Sequence, residues 1–207
     1  MASSNRSVAQ LARVFARPWD RPSSDFDLNS GDGGGWSVAD TLTDAAVLVP
    51  LIQTGDGLQV ILTKRASHLM HHPGQIALPG GKRDAGDRSL AETALRETGE
   101  EIGLQRGNVE MIGEMPYHET VTGFRVTPFV ARVLQEFDPI PEVSEVDEVF
   151  RVPFSYLADP ANYLIEGRRW AGLMRRYYVI PYGPYYIWGA TARILRALAE
   201  RIDACSA

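Results

Sequence analysis

The stretch from Leu78 to Leu104 limits what this chain can fold into more than any other. An extended segment ends at Leu78-Pro79, and Gly80-Gly81 then makes a turn bare of side chains. Glycine at such a point lets a backbone carbonyl approach a metal or a phosphate closely. Lys82, Arg83, Asp84 and Asp87 follow, and Ser89-Leu90-Ala91-Glu92 is a capping-box pattern that opens a helix. Ala91, Ala94, Leu95, Thr98 and Ile102 form the apolar stripe of that helix, and Gly103 stands where a C-cap glycine belongs. Glu97, Glu100 and Glu101 lie within about 100° of one another on its surface, to one side of the stripe, so their removal is expected to spare the fold. Carboxylates this close repel unless something positive sits among them. Oxygen-only ligands suit a hard divalent cation, Mg²⁺ or Mn²⁺. The bland reading is a solvated acidic face with ordinary helix pairs such as Glu92 with Arg96. The Gly-Gly turn and the mixed-charge loop immediately upstream favour a metal–phosphate site.

The surroundings read as a layered domain. Ala45 to Ile52 is a buried-strand pattern and Leu58 to Thr63 a second, joined through Thr54-Gly55-Asp56-Gly57. Residues 64–87, rich in Gly, His, Pro and charge, read as a functional loop. Strand patterns recur at 108–114, 124–133, 146–152 and near 175–181, and an amphipathic helix runs from about Trp188 to Ile202. Helices and strands mix without regular alternation, which predicts an α/β domain with a mixed sheet. Upstream, Val8, Leu11, Val14 and Phe15 fall at helical spacing and predict an amphipathic surface helix. Residues 18–43, with Pro18, Pro22 and Gly33-Gly34-Gly35, read as a linker. The glycine run lacks a preceding strand and a following Lys-Ser/Thr, so it is not read as a phosphate loop. The expected division is a helix and Gly/Pro-rich linker over 1–43 and the main domain over 44–207.

Composition narrows the function classes. The 207 residues are 44% hydrophobic and 23% charged, enough for one domain with a real core. A net charge of −5 argues against a nucleic-acid partner held by a basic surface. The single cysteine, Cys205, excludes an intramolecular disulfide and a cysteine-based zinc cluster. No apolar run approaches the roughly 18 residues of a membrane span, so no membrane partner is expected. Up to Arg17 the chain holds Arg6, Arg13, Ser3, Ser4 and Ser7 but no acid, a composition like that of a transit peptide. The surface-helix reading is preferred, which makes a cytoplasmic location the expectation and a mitochondrial one the alternative.

Gly81 through Leu104 resembles the Nudix box, in Arg96-Glu97, Glu100-Glu101 and Gly103-Leu104. Asp87 stands where the box has its first Glu, eight residues separate it from Arg96 where the pattern has one fewer, and Thr98 replaces an aliphatic residue. These departures put Asp87 in doubt as a ligand. Ile61 to Arg65, Leu69, and His72-Pro73-Gly74-Gln75-Ile76-Ala77-Leu78-Pro79-Gly80-Gly81 are similar to the coenzyme A pyrophosphatase branch, which shares the longer box and a small residue after Arg-Glu. Residues 121–128, 145–150 and 187–193 are also similar to it, so the resemblance spans roughly 44–202. It implies a Nudix-type α/β/α sandwich with a mixed β-sheet, here with an N-terminal helical arm. It also implies hydrolysis of the pyrophosphate of coenzyme A or its thioesters to 3′,5′-ADP and 4′-phosphopantetheine, or an acyl form.

The reading assigns Glu97 and Glu101 as the main metal ligands, with Glu100 as a further ligand or water-positioning base and the Gly81 carbonyl completing the shell. Arg96 is expected to orient Glu97 or Glu100 by paired hydrogen bonds. Lys64, Arg65, His72, Gln75 and Lys82 are candidates for substrate contact. For Lys64 and Arg65 the alternative is solvated strand-end charge, and for His72 it is a loop-positioning role. The tyrosines from Tyr177 to Tyr186, with Trp188, either stack a ring or pack against the last helix. Glu145 and Glu148 are surface carboxylates unless one approaches the metal site. Alternative substrates are other nucleoside diphosphate derivatives such as ADP-ribose. The alternative from another class is a catalytically silent nucleotide sensor, disfavoured because all three glutamates of the box tail are present. A homodimer stays open.

Overall fold

The computed structural model describes residues 8–29, 41–170 and 173–205. The glycine run at 33–35 and the Ser/Arg-rich residues 3–7 lie outside the described residues.

The elements in chain order are α1 (Val8–Phe15), β1 (Ser23–Ser24), β2 (Thr43–Thr54), β3 (Gly57–Arg65), β4 (Ile76–Ala77), β5 (Gly80–Lys82), α2 (Leu90–Ile102), β6 (Val109–Glu114), β7 (His118–Glu119), β8 (Phe124–Val133), β9 (Val146–Pro153), α3 (Phe154–Leu157), β10 (Leu164–Trp170), β11 (Leu173–Tyr182), β12 (Tyr185–Trp188) and α4 (Gly189–Ala204). One sheet runs β1-β7-β8-β2-β3-β4, with β5 on β2, β6 on β8 and β9 on β3, and a second is β10-β11-β12. The long β2–β8 pairing is parallel while β2–β3 and β3–β9 are antiparallel, so the main sheet is mixed as expected.

Alternation along the central strands builds the layers. Successive strand residues point to opposite faces. Ala46, Leu48 and Ile52 of β2, with Ile61 of β3, pack under Ala94 and Ile102 of α2. Val49, Leu51, Val60 and Leu62 pack on the other face with Leu195 and Leu198 of α4 and Leu11 and Val14 of α1. The result is the expected α/β/α sandwich. The N-terminal helix is less of an arm than its position suggests, since Leu11 and Val14 are buried in that core. The ring of Phe15 lies against Gly113 of β6, where a side chain would collide with it.

Capping fixes the ends of α2. The Ser89 hydroxyl accepts from the Glu92 N–H at 3.2 Å, and Gly103 takes the left-handed conformation (φ 72°) and donates to the Gly99 carbonyl. The Glu92 carboxylate reaches the Arg88 N–H, one residue earlier than a standard capping box requires.

The strands absent from the sequence reading are mostly short or polar. β10 carries Glu166-Gly167-Arg168-Arg169, too polar to show period-2 alternation.

Candidate active site

The Gly80-Gly81 turn is held against β2 by antiparallel pairing of Val47 with Gly80 and Ala46 with Gly81. Gly80 has φ +144°, and a Cβ there would run into the Ala46 carbonyl. A Cβ on Gly81 would run into the Glu97 carboxylate, so that carboxylate lies directly against bare backbone. Close approach of backbone requires glycine at position 80, whereas at position 81 it is the Glu97 side chain that a Cβ would displace.

Glu101 is 5% exposed and accepts a hydrogen bond from the Gly80 N–H at 3.1 Å. This corrects the expectation that it lies on the polar face, to one side of the apolar stripe. It stands among the buried residues Ala94, Thr98 and Ile102. Burial raises its pKa from 4.5 to about 8, and the charges of Glu145 and Glu97 push the same way, against the Gly80 hydrogen bond and Arg65. Glu97 is also raised, first by burial and then by Glu100 and Glu145, although Arg96 opposes this. Glu100 turns outward: its side chain is 61% exposed and paired with Arg96 at 3.0 Å.

Arg96 is the hub of the loop. Its Nε and Nη2 donate to the two Asp87 oxygens at 3.0 Å each, Nη1 donates to Glu100 at 3.0 Å, and Nη2 also reaches the Lys82 carbonyl and lies 2.9 Å from Glu97. The fork on Asp87 is the strongest of these contacts. Asp87, 7% exposed, also accepts from Thr93 Oγ1 and the Asp84 N–H. The Arg96 guanidinium, then these donors, hold its carboxyl well below the usual range. Asp87 is therefore fully engaged as a brace between loop and helix.

Glu145 reaches the site from a distant part of the chain. The Ile140 N–H donates to the Ile102 carbonyl and the Glu142 N–H to the Glu101 carbonyl, which fastens residues 140–142 to the last turn of α2. The Ala66 N–H donates to the Glu145 carbonyl at the end of β3. These bonds bring Glu145 into the field of both Glu97 and Glu101. Its sequence context, Ser-Glu-Val-Asp, gives no sign of that except the resemblance.

Does this set fit a divalent cation? Among the described residues, no three His, Cys, Asp or Glu side chains converge into a closed cage. A Mg²⁺ ion does not need one, since it is held by one or two carboxylates with substrate phosphates and water. Glu97, Glu101 and Glu145 share a field that raises the pKa of the first two. The buried Nε of Arg65 has no hydrogen-bond partner. A cation arriving with phosphate oxygens matches both conditions: it lowers the carboxylate repulsion, and the oxygens supply the acceptor.

At the end of β3, on the α4 side of the sheet, lies a cavity of ≈ 550 Å³. It is lined by Lys64, His72 to Ile76, Glu148, Pro184, Tyr185, Tyr186 and Trp188. The loop that builds it folds back on itself. Gly74 donates to the Arg65 carbonyl, Arg65 to Gln75, and Gln75 to His72, which adopts a left-handed conformation (φ 55°). Thr191 of α4 donates to the Ile76 carbonyl, so the helix start and the loop are joined. The cavity thus unites Lys64, His72 and Gln75, whereas Lys82 lies exposed at the end of β5. The aromatic cluster divides. Tyr178 lies under Arg193 and Arg196 of α4, while Tyr185, Tyr186 and Trp188 wall the cavity.

Residues 42–169 match the model of the NUDIX domain, well over half of the chain. The chain belongs to the Nudix family. It is 40% identical over 158 residues to the uncharacterized Nudix hydrolase NudL of Enterobacter sp. (strain 638), covering 76% of this chain and 82% of that one. It is 34% identical over 201 residues to the protein of the same name from Yersinia enterocolitica, covering 97% and 99%. The solved MutT protein of Methanosarcina mazei Go1 covers 82% of this Nudix chain and 99% of its own at a TM-score of 0.51 and 22% identity, a likeness of fold. The protein is a Nudix hydrolase, an enzyme acting on phosphoric anhydrides, a class that generally uses divalent metal ions. No helix among its described residues is long and apolar enough to cross a membrane.

Proposed function

We propose that this Nudix hydrolase cleaves the pyrophosphate of coenzyme A or its thioesters, giving 3′,5′-ADP and 4′-phosphopantetheine or its acyl form, with Mg²⁺ or Mn²⁺. The observation that carries the reading is the cavity at the Lys64 end of β3. It is built from the upstream segment that resembles the coenzyme A branch, and it offers a cation, an amide and aromatic walls to a long substrate.

Glu97 and Glu101, with the Gly81 carbonyl, are the residues that would hold the cation, and Glu100 would join them only by leaving its pair with Arg96. When bound, the metal neutralises phosphate charge and lowers the pKa of water. Arg96 fixes Glu97 and Glu100 while anchored on Asp87. Arg65 presents its unpartnered Nε to a phosphate oxygen. Glu145, whose charge acts on both glutamates, would take a proton from the attacking water. Lys64, His72 and Gln75 bind the remainder of the substrate, and Lys82 contributes long-range attraction at the rim.

Turnover with each metal on coenzyme A, ADP-ribose, diadenosine polyphosphates and nucleoside triphosphates tests this. The highest kcat/KM is expected for coenzyme A. A clear preference for ADP-ribose would overturn the substrate assignment and leave the family untouched.

A further inference from the structure

Lys64 of β3 and Glu148 of β9 are cross-strand partners. Directly opposed residues of an antiparallel pair point to the same face, with Cβ atoms about 5 Å apart. Both side chains line the same cavity. A cation and an anion so placed would ordinarily neutralise each other, yet they form no ion pair here. The Glu148 carboxylate instead accepts the Tyr185 hydroxyl on Oε1 at 2.5 Å. The Tyr185 ring is itself fixed by stacking on Phe150, with centroids 3.7 Å apart and planes 9° from parallel. That leaves the Lys64 ammonium without a side-chain partner among the described residues, and Glu148 Oε2 free to accept.

We propose that Lys64 and Glu148 read two neighbouring positions of a ribose: a phosphate at one, bound by Lys64, and a free hydroxyl at the next, donating to Glu148, with Tyr185 as the residue that positions Glu148. This rests on the coenzyme A reading, because the 3′-phosphate and 2′-hydroxyl of coenzyme A are such a pair. A ribose with two hydroxyls leaves the ammonium unmatched, and one with two phosphates sets a phosphate against a carboxylate. A carboxylate accepting from a ribose hydroxyl is also the device of dinucleotide sites. Tyr186 and Trp188, on the adjoining wall, flank the space where the base on that ribose would lie. The pairing therefore makes the 3′-phosphate a specificity element and the 2′-hydroxyl its register.

The test is calorimetric titration of the metal-free protein with 3′,5′-ADP and with 5′-AMP, which differ only in the 3′-phosphate. The wild type is expected to bind 3′,5′-ADP about tenfold more tightly or better, as suits a charge-assisted contact in a partly desolvated cavity. Lys64→Met should bring the ratio of the two dissociation constants to near one. Glu148→Gln should weaken both nucleotides several-fold, because both carry the 2′-hydroxyl. Tyr185→Phe should weaken both by a smaller factor and raise KM more than it lowers kcat. A merely structural Tyr185 would lower the melting temperature without moving either constant. A wild-type ratio near one, or a ratio that Lys64→Met leaves at the wild-type value, overturns the reader even if coenzyme A is hydrolysed. Failure to hydrolyse coenzyme A, with the nucleotide ratio as expected, overturns the substrate reading and leaves the reader standing.

Discussion

The carboxylate floor and the aromatic cavity differ in how they are built. The floor comes from one continuous piece of chain, residues 79–104, in which a turn, a brace and a helix lie side by side in sequence. Glu145 and Arg65 reach it from elsewhere. The cavity is assembled from four separated pieces: Lys64, the 72–76 loop, Glu148 and the 184–188 turn. The floor is rigid and internally over-determined, with Arg96 alone joined to Asp87, Glu97, Glu100 and the Lys82 backbone. The cavity holds side chains whose bonding capacity is unspent. A local, braced unit is suited to the chemistry common to every pyrophosphate substrate, and a long-range assembly with unspent groups is suited to telling substrates apart. Changes in the floor should then lower kcat, and changes in the cavity should raise KM.

The largest expected effect lies in the floor. Glu97→Gln and Glu101→Gln should each lower kcat by roughly 10²-fold or more. Near-normal turnover in both would discard the metal site as placed here. Glu145→Gln should cost about tenfold in kcat, and it tests whether a residue from outside the local unit belongs to the floor. If that variant instead raises KM with kcat retained, Glu145 belongs functionally to the cavity.

Arg96→Lys probes the brace itself. Lysine keeps the charge but cannot hold both Asp87 oxygens and two glutamates in one plane. A loss of about tenfold in kcat with little change in KM is expected, read by steady-state kinetics. A pure KM effect would break the contrast between the two regions.

The sequence made the floor legible because its signals are local. The capping residue, the glycine end and the three glutamates all fall within one helix. What the apolar stripe concealed was the burial of Glu101. Seven residues after Ala94, a helix returns to within about 20° of the same direction, so Glu101 stands inside the stripe and not beside it. Reading the stripe from apolar residues alone hid this. The cavity was legible only as a set of candidates. Nothing near Glu148 in sequence points to Lys64 or Tyr185, because their meeting depends on the β3–β9 register and on the turn before α4. Lys82 is adjacent to the box in sequence, and its side chain lies exposed while its backbone serves Arg96.

The burial of Glu101 has a consequence for stability. Its pKa is raised to about 8 in the metal-free protein. A raised carboxyl pKa means that the folded state binds this proton more tightly than the unfolded chain does. The favourable contribution is full below about pH 4.5 and is lost as pH rises through about 8. Glu101→Gln removes that penalty. In metal-free protein the variant should melt several degrees above the wild type at pH 8.5, and the advantage should shrink toward pH 5. The residue would then be kept for chemistry at the expense of stability. A variant less stable than wild type at every pH would show that the Gly80 hydrogen bond outweighs the burial of charge.

The smallest expected effect separates Lys82 from Arg65. Both are cations near the phosphates, and a chain of net charge −5 needs local positive charge to attract an anionic substrate. They differ in solvent access. Lys82 is exposed, so its attraction is screened within the Debye length of about 8 Å at physiological ionic strength. Arg65 buries an unpartnered Nε at the floor's edge, where salt penetrates poorly. Lys82→Ala should raise KM by less than about twofold at low salt, and the difference should vanish near 0.5 M salt. Arg65→Met should raise KM severalfold, with most of the increase persisting at that salt. Equal salt sensitivity in the two variants would place Arg65 on the solvated surface with Lys82. The phosphates would then be held by the metal and Lys64 without it.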